Sequence, residues 1–205
     1  MLKQEVCRNK PLIIAIVVLD LSKFLIYDFH YNTMRKKFND CKVLYTDTDS
    51  LIYNIKTSDV YDDLKNMKED FDFSEYPKTH ELYDETNKKV IGKCKCETNG
   101  KIINEFVGVR AKMYSVDVFD DKVKMRAKGV KKSAMKDMKH QNYYNCLFDK
   151  DQHVQNCEFM TFKSKNHKLS TDVVKKISLS CYDDKRYYLN MIESRAHGHY
   201  LNNNI

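Results

Sequence analysis

The chain has 205 residues, with 36 Lys and Arg against 29 Asp and Glu and a net charge of +7 at pH 7. That length suits one ordinary domain or two small ones, and 42% apolar with 32% charged residues supports a packed core in water. Five Gly and two Pro exclude a collagenous or low-complexity chain, and seven scattered Cys read as reduced intracellular thiols rather than a disulfide framework.

The longest apolar run, Leu12 to Leu19, is far short of the ~20 residues that span a bilayer. Lys3, Arg8 and Lys10 ahead of it resemble the start of a signal peptide, but no small-residue cleavage pattern follows. Neither a membrane span nor secretion is expected. Pro11 suits the first turn of a helix. From there Ile14, Val17, Val18, Leu21, Leu25 and Phe29 recur at three- and four-residue steps, which predicts one long helix from about Pro11 to Phe38, buried along one face. Its β-branched start leaves a strand over 12–18 as the alternative.

Val43-Leu44-Tyr45 and Leu51–Ile55 flank the polar Thr46–Ser50 and predict a β-hairpin. Ser58 or Asp59 caps a short helix reaching about Glu69. Val90–Cys96 and Ile102–Phe119 read as strands, and Val123–Lys128 returns as a hairpin arm after the Asp120-Asp121 turn. Ser133–Met138 and Gln141–Leu147 read as helices. Val154–Lys163 with Lys168–Ser170 reads as a hairpin, and Asp172–Leu179 stays ambiguous. The class is α+β with mainly antiparallel pairing.

Charge is segregated along the chain: residues 42–87 carry a net −7 and residues 88–139 a net +9. An acidic block followed by a basic one suits holding cations and then a polyanion, although lysine-rich stretches are also common as solvated faces. In Tyr45-Thr46-Asp47-Thr48-Asp49-Ser50 the two aspartates alternate along a strand and are expected to project the same way. Two carboxylates held close repel each other, and a hard divalent cation such as Mg²⁺ relieves that repulsion. Phosphoryl transfer uses such sites with two metals. A bare Asp-x-Asp is more often a turn; the flanking apolar strands and the helix before them favour metal.

The Tyr-x-Asp-Thr-Asp-Ser motif resembles the third palm motif of family B DNA polymerases, with Thr46 where that family often has a smaller residue. The resemblance implies Asp49 as principal metal ligand and Asp47 as the supporting carboxylate of a two-Mg²⁺ site. Downstream, Lys112-Met113-Tyr114 resembles the family's Lys-x-Tyr motif, which steadies primer–template DNA. On a strand, Lys112 and Tyr114 would face one side, for phosphate pairing and nucleotide stacking. Lys128, in Ala127-Lys128-Gly129-Val130-Lys131-Lys132, is a further candidate DNA contact, equally what a soluble loop shows. Asp20–Lys23, Tyr27–Tyr31, Lys88–Lys93, Asp183–Tyr187 and Ala196–His199 resemble the protein-primed subgroup of Polinton/Maverick elements, viruses and linear plasmids.

By that resemblance residues 1–41 form a long helix leading into the palm, 42–135 the C-terminal half of an antiparallel palm sheet, and 136–205 a small α/β thumb with a tail. The partners implied are primer–template DNA, a dNTP in the intact enzyme and a terminal protein primer, at a nuclear or viral replication site. The motif that supplies the second metal aspartate, the fingers motif and the exonuclease acids are not found in this sequence. The expectation is therefore a portion of a DNA-directed DNA polymerase, incompetent alone; the alternative is a catalytically inactive DNA-binding remnant. Cys94-x-Cys96 is a single pair of thiols where zinc generally wants four ligands. No Ser/His/Asp arrangement has motif-level support.

Overall fold

Helix, in one nearly unbroken rod, opens the described part of the chain. The computed structural model describes residues 10–182, 186–190, 193–196 and 198–201; Asp183–Lys185 and His197, within the segments quoted above, lie outside them. The rod comprises α1 (Leu12–Asp28), a π-helical turn (Phe29–Met34) and α2 (Arg35–Lys37). The helix predicted over 11–38 is present. Its expected buried face is not: α1 has no buried residue, and Ile14, Val18 and Leu21 are each about 60% exposed. The reason is in the pattern. Apolar residues fill consecutive positions of α1 instead of one stripe, so the pattern singles out no face, and none is covered among the described residues.

Burial begins at Met34 and Phe38, where the rod meets β1 (Cys41–Asp47) and β2 (Ser50–Ile55). Met34, Phe38 and Met67 form a small core on which Phe29, Cys41, Tyr53, Ile55 and Phe71 pack. Asp59 caps α3 (Val60–Asn66) by accepting from the Tyr61 and Asp62 amides. A 3₁₀ turn at Lys68–Asp70 leads to β3 (Phe71–Asp72), which pairs in parallel with β4 (Cys94–Lys95). The strand predicted over 90–96 is reduced to those two residues. Turns occupy most of 74–93, and a second core of Phe73, Tyr76 and Leu82 sits within them.

The chain divides into two compact units, Met1–Gly100 and Lys101–Ile205. The second contains an antiparallel sheet of β5 (Ile103–Arg110), β6 (Met113–Val118) and β7 (Lys124–Ala127). The single run read over 102–119 is thus a hairpin that turns at Ala111-Lys112. Against one face packs α4 (His140–Phe148), burying Val107, Met113, Ala127, Tyr143, Cys146 and Leu179. Burial pushes the Tyr143 phenol up to about 12, and its hydroxyl donates to the Arg126 carbonyl at 3.1 Å. Ser133–Met138, read as helix, is a series of turns. The ribbon β8 (Val154–Lys165) and β9 (Lys168–Ser180) turns at Asn166-His167, both left-handed, and continues through the ambiguous 172–179. Two short strands, β10 (Arg186–Tyr188) and β11 (Ser194–Ala196), pair further on. The class is mixed α+β with small, mostly antiparallel sheets. Among the described residues no helix is long and apolar enough to cross a membrane.

Candidate functional site

Asp47 is the last residue of β1 and pairs with Ser50; Thr48 and Asp49 form the two-residue turn between them. The strand alternation expected to align the two aspartates therefore stops at Asp47. What separates them is Thr48 at φ 59°. Of the seven non-glycine residues with positive φ among the described residues, Thr48 alone is β-branched, and a β-branched side chain is the least tolerant of that conformation. The turn is closed by the Asp49 amide donating to the Asp47 carbonyl at 2.7 Å, with the Ser50 hydroxyl on the same carbonyl at 3.2 Å. The Thr48 hydroxyl lies 3.4 Å from Asp47 Oδ1. Asp49 is exposed and Asp47 half-buried.

A bulge sets which side Asp47 takes. Val43 pairs with Tyr53, but Tyr45 pairs with Ile52, so Leu44 is the extra residue. Directly paired residues share a face and the alternation shifts at the bulge, so Asp47 lies with Tyr45, Ile52 and Ser50, opposite Tyr53. Tyr53 faces the rod: its ring stacks on His30 at 5.7 Å, and its hydroxyl lies 2.9 Å from His30 Nδ1. Burial, and then the nearby Cys41 and Cys94, push the Tyr53 phenol well above its ordinary value. The π-helical turn that carries His30 thus fastens the far face of the hairpin and leaves the Asp47 face turned away. Among the described residues no group of three or more His, Cys, Asp or Glu gathers around a common point. Two carboxylates flanking one strained residue fit part of a Mg²⁺ site and require further ligands to complete it.

In the second unit Lys112 is not on a strand. It occupies the β5–β6 turn at φ 60°, exposed, while Tyr114 lies on β6. The expectation that the two share a strand face is corrected by that turn. The structure instead brings Lys112 beside Lys128, whose amide donates to the Lys112 carbonyl at 3.1 Å and extends the β6–β7 ladder by one position. Gly129, at φ 85°, accepts from Lys176 Nζ at 3.1 Å. Lys131, itself exposed, donates to the Met160 carbonyl at 3.0 Å with its charge 5.5 Å from the centre of the Phe159 ring. Lys128 and Lys132 remain exposed.

Tyr114 lies between Gly108 on β5 and Arg126 on β7, all on one face by pairing. The Phe106 ring covers Gly108, where a Cβ would meet it at 2.8 Å, and stands 6.0 Å from the Tyr114 ring. Phe106, Gly108 and Arg126 were not singled out from sequence, because only the register of three strands places them beside Tyr114. Sequence reasoning also missed Ser115 and His140, joined at 2.7 Å, with Glu105 Oε2 3.2 Å from His140 Nε2. Ser115 is fully buried, so the trio fastens α4 to the sheet and offers no accessible nucleophile.

Cys94 and Cys96 differ in environment. Burial pushes the Cys94 thiol up to about 11. It also acts to raise Cys96, but hydrogen bonds from Thr98, the Gly100 amide and Tyr76 outweigh it and hold that thiol below its ordinary value. No protein-family model, curated protein or solved structure matches this chain.

Proposed function

We propose that this chain is part of a DNA-directed DNA polymerase of the protein-primed family B type: the Asp-hairpin half of an antiparallel palm, followed by a thumb-like segment. The observation that carries the reading is the strained tip, where the motif's two aspartates flank the β-branched Thr48 at φ 59°. Backbone strain of this kind persists where surrounding structure over-determines it, and it concentrates at functional sites. Asp49 serves as principal Mg²⁺ ligand and Asp47 as its support, with a further aspartate that this sequence does not supply. Asp49 and Asp47 would hold Mg²⁺, which would supply Lewis-acid chemistry for attack of a primer 3′-hydroxyl on the α-phosphate of a dNTP with release of pyrophosphate. Lys112 and Lys128 hold phosphates of the primer–template, and Tyr114, beside Phe106, offers a ring to it.

Mn²⁺, which takes the same hard oxygen ligands, supplies the test through paramagnetic broadening of backbone amide signals. Broadening centred on residues 47–50 in the wild type and lost in Asp49→Asn is expected. Uniform broadening, or broadening indifferent to that substitution, refutes the metal assignment. Primer extension by the purified chain that disappears in Asp49→Ala would refute its dependence on a separate aspartate.

A metal-independent DNA-binding remnant is the second reading, favoured by the adjacency of Lys112 and Lys128, a phosphate contact that needs no cation. Primer–template affinity that falls with salt yet is unchanged by EDTA and by Asp49→Asn, without Mn²⁺ broadening at the tip, selects it.

A further inference from the structure

A cleft of about 730 Å³ opens in the first unit, between the C-terminal turn of the long rod and the end of α3. Lys36 and Lys37 enter it from the rod, Lys65 from α3 and Lys68 from the 3₁₀ turn. Glu69 and Asp70 are the acidic groups on its lining, so cations outnumber anions two to one. Lys37 pairs with Asp63 at 3.5 Å. Lys36, Lys65 and Lys68 make no ion pair among the described residues, and Lys68 exerts only a minor pull on Asp84, whose carboxyl is lowered mainly by Thr86. Cations near helix C-termini offset the carbonyl dipoles, and with two helices ending here that accounts for Lys36, Lys37 and Lys65. It leaves Lys68, which opens the 3₁₀ turn, without a structural reason.

The floor is Met67, 8% exposed and packed on Met34 and Phe38. An apolar floor beneath unpaired ammonium groups raises the positive potential in the opening. Asn32, Thr33 and Asn66 add neutral polar groups to the wall, and no aromatic ring lines it. A site with lysine point charges and no stacking platform suits phosphate rather than base recognition.

We propose that this cleft binds phosphate groups, either those of a nucleic-acid backbone or those of a free polyphosphate. It is independent of the Asp hairpin and of the Lys112–Lys128 pair. The test compares the wild type with Lys36→Gln/Lys65→Gln/Lys68→Gln, using a labelled 20-nucleotide single strand and inorganic tripolyphosphate as probes. Oligonucleotide affinity is expected to fall about tenfold in the variant, and the slope of log affinity against log salt to shrink by about 2, from three lost contacts on a single strand.

A fall in oligonucleotide affinity without any tripolyphosphate effect on wild-type melting assigns the cleft to nucleic-acid backbone. A melting shift by tripolyphosphate that vanishes in the variant assigns it to free polyphosphate. If affinity, salt slope and tripolyphosphate response all match the wild type, the proposal is overturned. Should the triple variant unfold, Lys68→Glu alone, at an exposed position, carries the same comparison, with Lys68→Arg expected to retain binding. Asp49→Asn leaves this binding unchanged, so failure of the cleft and failure of the metal reading are separate results.

Discussion

Replacing Thr48 by glycine isolates the strain stored between the two aspartates. An L-residue in the left-handed region is disfavoured by roughly 1–2 kcal/mol, and a β-branched one sits at the upper end, about 2. Glycine removes that term. Against it stand about 0.5 kcal/mol for glycine's greater freedom in the unfolded chain and about 0.5 for the Thr48 hydroxyl, whose contact with Asp47 Oδ1 is long at 3.4 Å and solvent-exposed. The balance favours Thr48→Gly by about 1 kcal/mol, roughly a fivefold rise in protection of the β1–β2 amides against hydrogen exchange. The same substitution frees the backbone between the two carboxylates, so Mn²⁺ affinity at the tip is expected to fall several-fold as the hairpin becomes more stable. A variant less protected than the wild type would mean that Thr48 is held without strain, and the argument from strain to function would fail.

Gly100 sits at φ 83°, with the buried Tyr76 ring 2.6 Å from where a Cβ would be. Gly100→Ala therefore combines backbone strain with overpacking and is expected to destabilise the first unit by about 3 kcal/mol in urea titration. Leu179 is fully buried against α4 and the β5–β7 sheet; Leu179→Ala is expected to lose about 3 kcal/mol, read as an earlier unfolding transition of the second unit. Asp72 accepts from the Ser74 amide at 2.9 Å and the Lys89 amide at 3.1 Å. Ser74, through its side chain first, holds the Asp72 carboxyl below its ordinary value against the opposing effect of burial. A depressed folded-state value adds stability that is complete above the unfolded value of about 3.9 and is lost as pH falls through the folded one. Acid unfolding of the first unit below about pH 4 is therefore expected to flatten in Asp72→Asn, and an unchanged acid limb would count against this anchor.

The features legible in the sequence are those whose cause is local. Asp59 caps α3 because a carboxylate at that position meets free amides. Asn166-His167 turns the β8–β9 ribbon in the left-handed conformations such residues tolerate. The Asp-Thr-Asp hairpin follows from two apolar runs around a polar pair. The β5–β6 turn escaped because Ala111-Lys112 contains neither Gly nor Asn, and neighbouring strands hold Lys112 where its own chemistry does not lead it. α1 escaped for the opposite reason: its apolar positions fit a helix whichever side is covered, so their period said nothing about which face, if any, would be buried.

What the sequence alone determined is the long rod, the Asp hairpin, α3 with its cap, α4 and the β8–β9 ribbon, together with the charged groups they carry, since capping, turn chemistry and apolar period act over a few residues. Only the tertiary structure decided that Leu44 bulges and turns Asp47 away from Tyr53, that Lys112 lies beside Lys128, and that lysines from the rod, α3 and the 3₁₀ turn line one cleft. These depend on strand register and on the packing of Met34, Phe38 and Met67. A shift of one residue in register would exchange every face without changing a letter of the sequence.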